Sequence, residues 1–127
     1  MRVRVDPQLE ALTEKIIGGA FAVAKSLGHG FLEAVYRNAL AEELAASGLQ
    51  IAVEAPYPVY YRDKLVGKYL ADLVVEDKVI VETKAVDALG PAHRAQVLNY
   101  LKASRLPIGL LFNFSKPSLE IKRVLLG

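Results

Sequence analysis

The sequence predicts an α/β fold in which N-terminal helices precede a three-stranded antiparallel meander, a crossover helix and two further strands of a mixed sheet. Three observations predict it. Apolar residues recur at helical spacing in the first third of the chain, the period changes to two from Gln50, and a nearly continuous apolar run at 107–114 follows another helical pattern. A strand that is apolar on both faces commonly lies inside a sheet and pairs in parallel after a helical crossover.

Composition limits the class of protein. The chain has 127 residues, of which 53% are hydrophobic, so we expect a single domain over residues 1–127 with a substantial core. Cysteine is absent, which excludes a disulfide framework, a thiol nucleophile and a thiolate zinc site. Any metal must therefore be held by oxygen ligands or by His29 and His93.

Charge and hydropathy limit the partners. The formal net charge of +2 permits a polyanionic partner but is well below that of a strongly basic nucleic-acid binder. No apolar run approaches the length of a membrane span, and residues 1–7 lack the apolar core of a signal peptide. We therefore expect a cytoplasmic protein with no membrane partner.

Two helical patterns precede the strands. Asp6 and Pro7 supply an N-cap and a proline at the first helical position. Glycines within 28–30 interrupt the pattern, and a second one runs from Phe31 to a glycine stop at Gly48. The segment is therefore either two packed helices or one helix kinked at the glycines.

The first predicted strand, residues 51–61, contains Pro56 and Pro58, which favour a sheet edge and interrupt or bend the strand. Its three tyrosines either cover a face of the sheet or stack on nucleic-acid bases. The other predicted elements are a strand at 65–75, a hairpin partner ending at Lys84, a helix ending near Ser104, the buried strand at 107–114 and an edge strand at 119–126.

The hairpin at 69–84 carries Asp72, Glu82 and Lys84 in otherwise apolar strands. A three-residue turn at 76–78 puts Asp72 directly opposite Glu82, with Cβ atoms roughly 4.5–5.5 Å apart. A two-residue turn would put the two carboxylates on opposite faces. Because facing carboxylates repel, the first arrangement requires a cation, and oxygen ligation suits Mg²⁺ or Mn²⁺. Alternatively, Asp72 ends a strand, and Glu82 and Lys84 form an exposed pair that contributes about 0–1 kcal/mol.

Two helices contribute further polar residues. Glu33, at the rim of an apolar stripe, either pairs with Arg37 four residues later or reaches the cation as a third carboxylate. His93, Gln96 and Tyr100 share one stripe of the later helix by (i, i+3) and (i, i+4) spacing. That stripe either lines the same cleft or faces solvent, and a lone histidine is weak evidence for a metal ligand.

This order of elements, with Asp72 on the second strand and the Glu-x-Lys motif on the third, resembles the PD-(D/E)XK nuclease superfamily and its restriction-endonuclease-like core. The sequence Gly-Phe-Leu-Glu-Ala-Val-Tyr at 30–36 also resembles the signature of the GxxExxY protein family, a small branch of that superfamily. Segments 93–101 and 109–114 are similar to later segments of the same family. One departure is Ala71, where a proline often precedes the first acid.

The resemblance implies a divalent-metal-dependent nuclease that hydrolyses phosphodiester bonds. Asp72 and Glu82 would ligate Mg²⁺ or Mn²⁺, and Glu33 would complete the acidic set. Lys84 would stabilise the attacking water or the charge that develops on phosphorus. The substrate-side residues would be Gln96 and Tyr100, with His93 on the same stripe.

The implied partner is nucleic acid, and we expect DNA rather than RNA. A homodimer or an accessory protein would enlarge the binding surface of so small a chain. The alternative function is a non-catalytic nucleic-acid-binding or accessory module that retains the nuclease fold, and a third is a plain protein-interaction domain.

Overall fold

The structure is a computed structural model and describes residues 6–127. Residues 1–5, which belong to the N-terminal segment considered above as a signal peptide, lie outside the described part. The described part contains α1 (Pro7–Leu27), α2 (Glu33–Ala46), β1 (Ile51–Tyr61), β2 (Lys64–Val75), β3 (Val79–Lys84), α3 (Pro91–Ser104), β4 (Ile108–Asn113) and β5 (Glu120–Leu125). This order confirms the predicted α/β class.

The N-terminal segment forms two helices rather than one kinked helix. Asp6 caps α1, because its Oδ1 accepts a hydrogen bond of 2.7 Å from the backbone N–H of Leu9. Gly28 and Gly30 then adopt φ values of 70° and 115°, which end the helical backbone. The next helix begins at Glu33, two residues later than the sequence predicts.

One five-stranded mixed sheet has the order β1-β2-β3-β4-β5. The first three strands form the predicted antiparallel meander, and β4 pairs in parallel with β3 after the α3 crossover. All six residues of β4 are buried, as the apolar run predicts. The strand β1 lies at an edge of the sheet and continues through its two prolines without interruption. Prolines are tolerated in an edge strand because no other strand pairs with its outer side.

Helices cover both faces of this sheet. The core on one face joins α1 and α2 to Val79 and Val81, whereas the core on the other face joins α3 to Ile80. Because side chains alternate along a strand, Glu82 shares the face of Ile80 and points toward α3, as expected from the sequence. No helix among residues 6–127 is both long and apolar enough to cross a membrane.

Candidate active site

The turn between β2 and β3 sets the register of the charged hairpin. Val75 pairs with Val79 and Leu73 with Val81, so the connecting turn has the three residues predicted. Continuing this register by one step brings Asp72 level with Glu82. The prediction that these two carboxyl groups face each other is therefore confirmed.

Asp72 lies where β2 separates from β3, since the paired residues of the two strands end at Leu73 and Val81. Its Oδ2 accepts hydrogen bonds from the backbone N–H of Thr83 at 2.9 Å and from the Thr83 hydroxyl at 3.1 Å. The Asp72 carboxylate thus accepts a hydrogen bond from a backbone N–H of β3 that lies beyond the last residues paired between β2 and β3. Sequence reasoning gave Thr83 no role, although it is fully buried.

Glu82 is 2% exposed, which is incompatible with the alternative of an exposed Glu82–Lys84 pair. Its Oε1 accepts a long hydrogen bond of 3.4 Å from the backbone N–H of Asp72. Burial, followed by the hydrogen bond to the Asp72 carboxyl group and the charge of Asp72, raises the pKa of Glu82 to about 10, although Lys84 acts to lower it. At neutral pH without a cation, Glu82 therefore holds a proton next to Asp72.

The helix α3 brings Gln96 and Tyr100 to the same carboxyl group. Tyr100 is 6% exposed and hydrogen-bonds to Glu82, and the side-chain amide of Gln96 donates to the Tyr100 hydroxyl at 3.3 Å. Burial, followed by the charges of Glu82 and Asp72, raises the pKa of Tyr100 to about 12, so the phenol remains a hydrogen-bond donor. The solvent-facing alternative is therefore wrong for Tyr100.

Tyr69 supports this arrangement from β2. Its ring meets the Tyr100 ring edge to face, with centroids 5.1 Å apart. Sequence analysis did not select Tyr69. A tyrosine in a strand of alternating polarity does not indicate a contact with a helical residue 31 positions later.

His93 has a different role in the described structure. Its Nδ1 accepts a hydrogen bond of 3.0 Å from the backbone N–H of Gly90, which caps the first turn of α3. No hydrogen bond among residues 6–127 joins it to the Asp72–Glu82 pair. The stripe of three polar residues thus divides into a capping residue and two residues at the acidic pair.

Glu33 is the exposed first residue of α2. Of the two alternatives for Glu33, the pair with Arg37 is not formed, because Arg37 forms its ion pair with Glu54 at 2.8 Å. One turn further along α2, Tyr36 stacks on Phe114 with ring centroids 4.5 Å apart, and the Phe114 N–H donates to the carbonyl of Lys84. The start of α2 is therefore tied to the carboxyl end of β3, where Glu82 and Lys84 lie.

The described residues place only part of the expected acidic set together. Nowhere in 6–127 do three or more His, Asp or Glu side chains form a group able to hold a metal ion. The pair itself fits a divalent cation, since two hard oxygen ligands lie close together and the buried Glu82 carboxyl group needs a compensating positive charge in order to ionise. Mg²⁺ commonly takes one or two carboxylates and completes its shell with water and substrate phosphate.

A second polar cluster, which sequence analysis missed, fixes the chain after Lys84. The fully buried side chain of Asn113 accepts from the Val86 N–H at 3.1 Å and donates to the Val86 carbonyl at 2.8 Å. It also donates to Glu120 at 3.1 Å, and Glu120 in turn accepts from the Leu89 N–H. These bonds tie the loop between β3 and α3 to the ends of β4 and β5.

Comparison with known proteins assigns the family. A family model described as the PD-(D/E)XK nuclease superfamily matches residues 10–124, which is most of the chain. The chain belongs to the PD-(D/E)XK nuclease superfamily. No curated protein matches the sequence.

Among solved structures, the crystal structure of SSO0001 has the same fold, with a TM-score of 0.57 and 15% sequence identity. The match covers 94% of this chain and 60% of the SSO0001 chain, so this PD-(D/E)XK protein spans about three fifths of the length of that chain. PD-(D/E)XK nucleases typically use divalent metal ions.

Proposed function

We propose that this protein is a divalent-metal-dependent nuclease that hydrolyses phosphodiester bonds in nucleic acid, with DNA as the preferred substrate. One observation carries the proposal. The buried carboxyl group of Glu82 faces Asp72 at the point where β2 and β3 separate, and burial next to Asp72 raises its pKa to about 10. A pair of this kind is unfavourable in a purely structural hairpin and suits a metal site.

The ligands would be Asp72 and Glu82, with Mg²⁺ or Mn²⁺ as the ion. Such an ion, when bound, lowers the pKa of a ligated water, polarises a phosphoryl oxygen and offsets charge on the leaving oxygen. The two Thr83 hydrogen bonds hold the Asp72 carboxylate in one orientation. Ligand positions fixed in this way reduce the reorganisation needed when the ion and the substrate bind.

Lys84 would supply a fixed positive charge beside the scissile phosphate. It is the last residue of β3, two positions after Glu82, and thus on the same face as that carboxyl group. A cation there stabilises charge that develops on the phosphoryl oxygens. Tyr100, held as a donor by Gln96 and Glu82, would orient the Glu82 carboxylate or a substrate oxygen.

Glu33 is proposed as the third acidic residue of the site. The stacking of Tyr36 on Phe114 ties the beginning of α2 to the end of β3, which favours this role. His93 is proposed only as a substrate-side residue at the start of α3.

We also propose membership of the GxxExxY branch. Two positions of the motif have structural reasons in this chain. Gly30 has a φ of 115°, and the Tyr36 hydroxyl donates to the Gly28 carbonyl at 2.8 Å and accepts from the Phe31 N–H at 3.1 Å. The glycine and the tyrosine thus shape the chain that presents Glu33.

The deciding experiment is cleavage of labelled single-stranded, double-stranded and branched DNA and of RNA in Mg²⁺ and Mn²⁺, with chelator as a blank. Glu82→Gln should abolish cutting, whereas Glu14→Gln, which changes an exposed acid on α1, should not. A protein that binds one substrate and cuts none would be an accessory module instead. Absence of both binding and cutting would exclude the nucleic-acid function.

A further inference from the structure

The hairpin of β1 and β2 continues beyond the sheet. Paired residues in β2 and β3 extend only from Leu73 to Val75, whereas β1 and β2 pair as far as Tyr61 and Lys64. Residues 56–71 therefore form a two-stranded arm that starts beside Asp72. Because β2 is antiparallel to β3, the arm extends past the carboxyl end of β3, the end that carries Lys84.

The arm has an unusual surface for a two-stranded element. Three exposed basic residues, Arg62, Lys64 and Lys68, accompany one acid, Asp63. Lys68 and Lys64 precede Asp72 by four and eight residues, which corresponds to about 13 Å and about 27 Å along an extended strand. A register shift opposite Val59 and Tyr60 puts an extra residue in β2 between the two lysines, so Lys64 and Lys68 lie on different faces of the arm at increasing distances from the acidic pair.

Exposed aromatic and aliphatic side chains accompany these charges. Tyr60 and Tyr61 are each 62% exposed, and the guanidinium carbon of Arg62 lies 5.3 Å from the centre of the Tyr61 ring. Aliphatic residues of β2 are exposed as well, namely Leu65, Val66 and Leu70. Cation and ring together give a surface that can contact both phosphates and base faces.

We propose that this arm binds the substrate strand next to the scissile phosphate. Lys68, Lys64 and Arg62 contact successive parts of the sugar-phosphate backbone, and Tyr60 stacks on an unpaired base. The inference rests on the proposed nuclease function and names its binding surface. It also explains how a chain with a net charge of only +2 holds a polyanion, since three basic residues are concentrated on the arm beside the site.

Charge also favours nucleic acid over a second copy of the chain. The outer edge of β2 in the arm could in principle pair with another strand. A symmetric antiparallel pair of arms, however, would bring the Lys64–Lys68 segments of both copies together, and like charges directly opposite destabilise a strand pair. Phosphate groups carry the opposite charge and remove this repulsion.

The test is fluorescence anisotropy of the full chain with labelled single-stranded and duplex DNA, in chelator to prevent cutting, over a series of KCl concentrations. The variant Arg62→Ala/Lys64→Ala/Lys68→Ala is compared with Lys15→Ala/Lys25→Ala/Lys102→Ala, which removes the same charge from exposed helical positions. The arm variant should lower the slope of log affinity against log salt by about two to three, because each lost phosphate contact removes about 0.7–0.9.

The control variant should keep the wild-type slope. For the aromatic contact, Tyr60→Ala should weaken single-strand binding about tenfold, and Tyr60→Phe should restore it, because the ring is sufficient for stacking. Thermal melting of each variant shows whether it is folded. A wild-type slope in the folded arm variant would overturn the proposal.

Further outcomes separate this inference from the proposed function. If the wild type cuts DNA and the arm variant binds and cuts equally well, the arm proposal alone fails. If the arm variant loses binding but the wild type cuts nothing, the arm proposal stands and the nuclease proposal fails. A dimer in sedimentation that dissociates only in the arm variant would assign the surface to a second copy and overturn the proposal.

Discussion

Thr83 donates both its backbone N–H and its hydroxyl to one oxygen of Asp72, at 2.9 Å and 3.1 Å. Thr83 is the middle residue of the Glu-x-Lys motif, and its strand parity directs it to the face away from Glu82. The Asp72 carboxyl group therefore lies at the edge between the two faces, within reach of both residues.

The first prediction concerns the Thr83 hydroxyl. Thr83→Val keeps the shape and the backbone donor but removes one of the two bonds that orient Asp72, so metal affinity should fall about 10–100-fold. Titration calorimetry with Mn²⁺ measures the change. Thr83→Ser, which keeps the hydroxyl, is the matched control. Equal Mn²⁺ affinities in all three proteins would show that the hydroxyl does not position the ligand.

The second prediction concerns the stability of the metal-free protein. The pKa of Glu82 is about 10 in the folded chain against an ordinary value of 4.5, so between these values the folded state holds a proton that the unfolded state has lost. Glu82 therefore stabilises the fold most below pH 4.5, and the free energy of unfolding falls as pH rises toward 10, by at most about 1.4 kcal/mol per pH unit.

Urea unfolding followed by circular dichroism, in chelator at pH 6 and pH 9, measures this loss. Glu82→Gln mimics the protonated side chain and should lack this dependence, so its advantage in stability over the wild type should widen from pH 6 to pH 9. Glu14→Gln, at an exposed helical position, should keep the wild-type dependence. A Glu82→Gln protein with the same fall in stability would contradict the assignment of the proton to Glu82.

The third prediction is that metal binding releases a proton. Since Glu82 is protonated at pH 7 and a ligating carboxylate must be charged, binding of Mn²⁺ should release about one proton and strengthen with pH. Calorimetry in buffers with different ionisation enthalpies counts the proton. Binding without proton release in the wild type would show that Glu82 is not the ligand that loses it.

These contacts show how far the sequence could predict the site. The odd number of residues in the turn after Val75 fixes the face-to-face register of Asp72 and Glu82, and helical spacing puts Gln96 and Tyr100 on one stripe. Both are local patterns with a fixed period, which is why they could be predicted. The fold class follows from the same kind of evidence.

The parts that sequence analysis missed depend on tertiary contacts. In the sequence, a threonine at the middle position of Glu-x-Lys looks like an ordinary strand residue. Its contact with the Asp72 carboxylate arises because β2 and β3 separate at this point, and the sequence does not report that separation. Asn113 meets Val86 across 27 residues, and no periodicity reports such a contact. The pairing of Arg37 with Glu54 rather than with Glu33 also depends on a tertiary contact, because β1 lies close to α2.

The fourth prediction concerns the Tyr100 hydroxyl. Tyr100→Phe removes the donor to Glu82 but keeps the ring against Tyr69, so kcat should fall about 10–100-fold with little change in the melting temperature. Tyr57→Phe is the matched control, since Tyr57 is half-buried against the same core. A loss of stability without a loss of kcat would make Tyr100 a structural residue only.

The fifth prediction concerns Asn113, whose side chain joins the loop after β3 to the end of β4. Asn113→Ala leaves the Val86 N–H without its acceptor and removes one donor to the Val86 carbonyl, which still accepts from the Ser115 hydroxyl, so the free energy of unfolding should fall by about 1–3 kcal/mol. Asn99→Ala, on the exposed side of α3, should change it by less than about 0.5 kcal/mol.

Asn113→Asp separates the contributions of the two ends of the amide. The aspartate keeps the acceptor for the Val86 N–H but replaces the amide donor by a carboxylate that repels Glu120. Above pH 5, Asn113→Asp should therefore destabilise the fold at least as much as Asn113→Ala. At pH 4, where carboxylates begin to be protonated, Asn113→Asp should destabilise the fold less than it does above pH 5. Denaturant unfolding at the two pH values measures the difference. If Asn113→Asp were as stable as the wild type at neutral pH, the donor would contribute little. The bond from the Val86 N–H, which aspartate keeps, would then hold the loop that leads from Lys84 to α3.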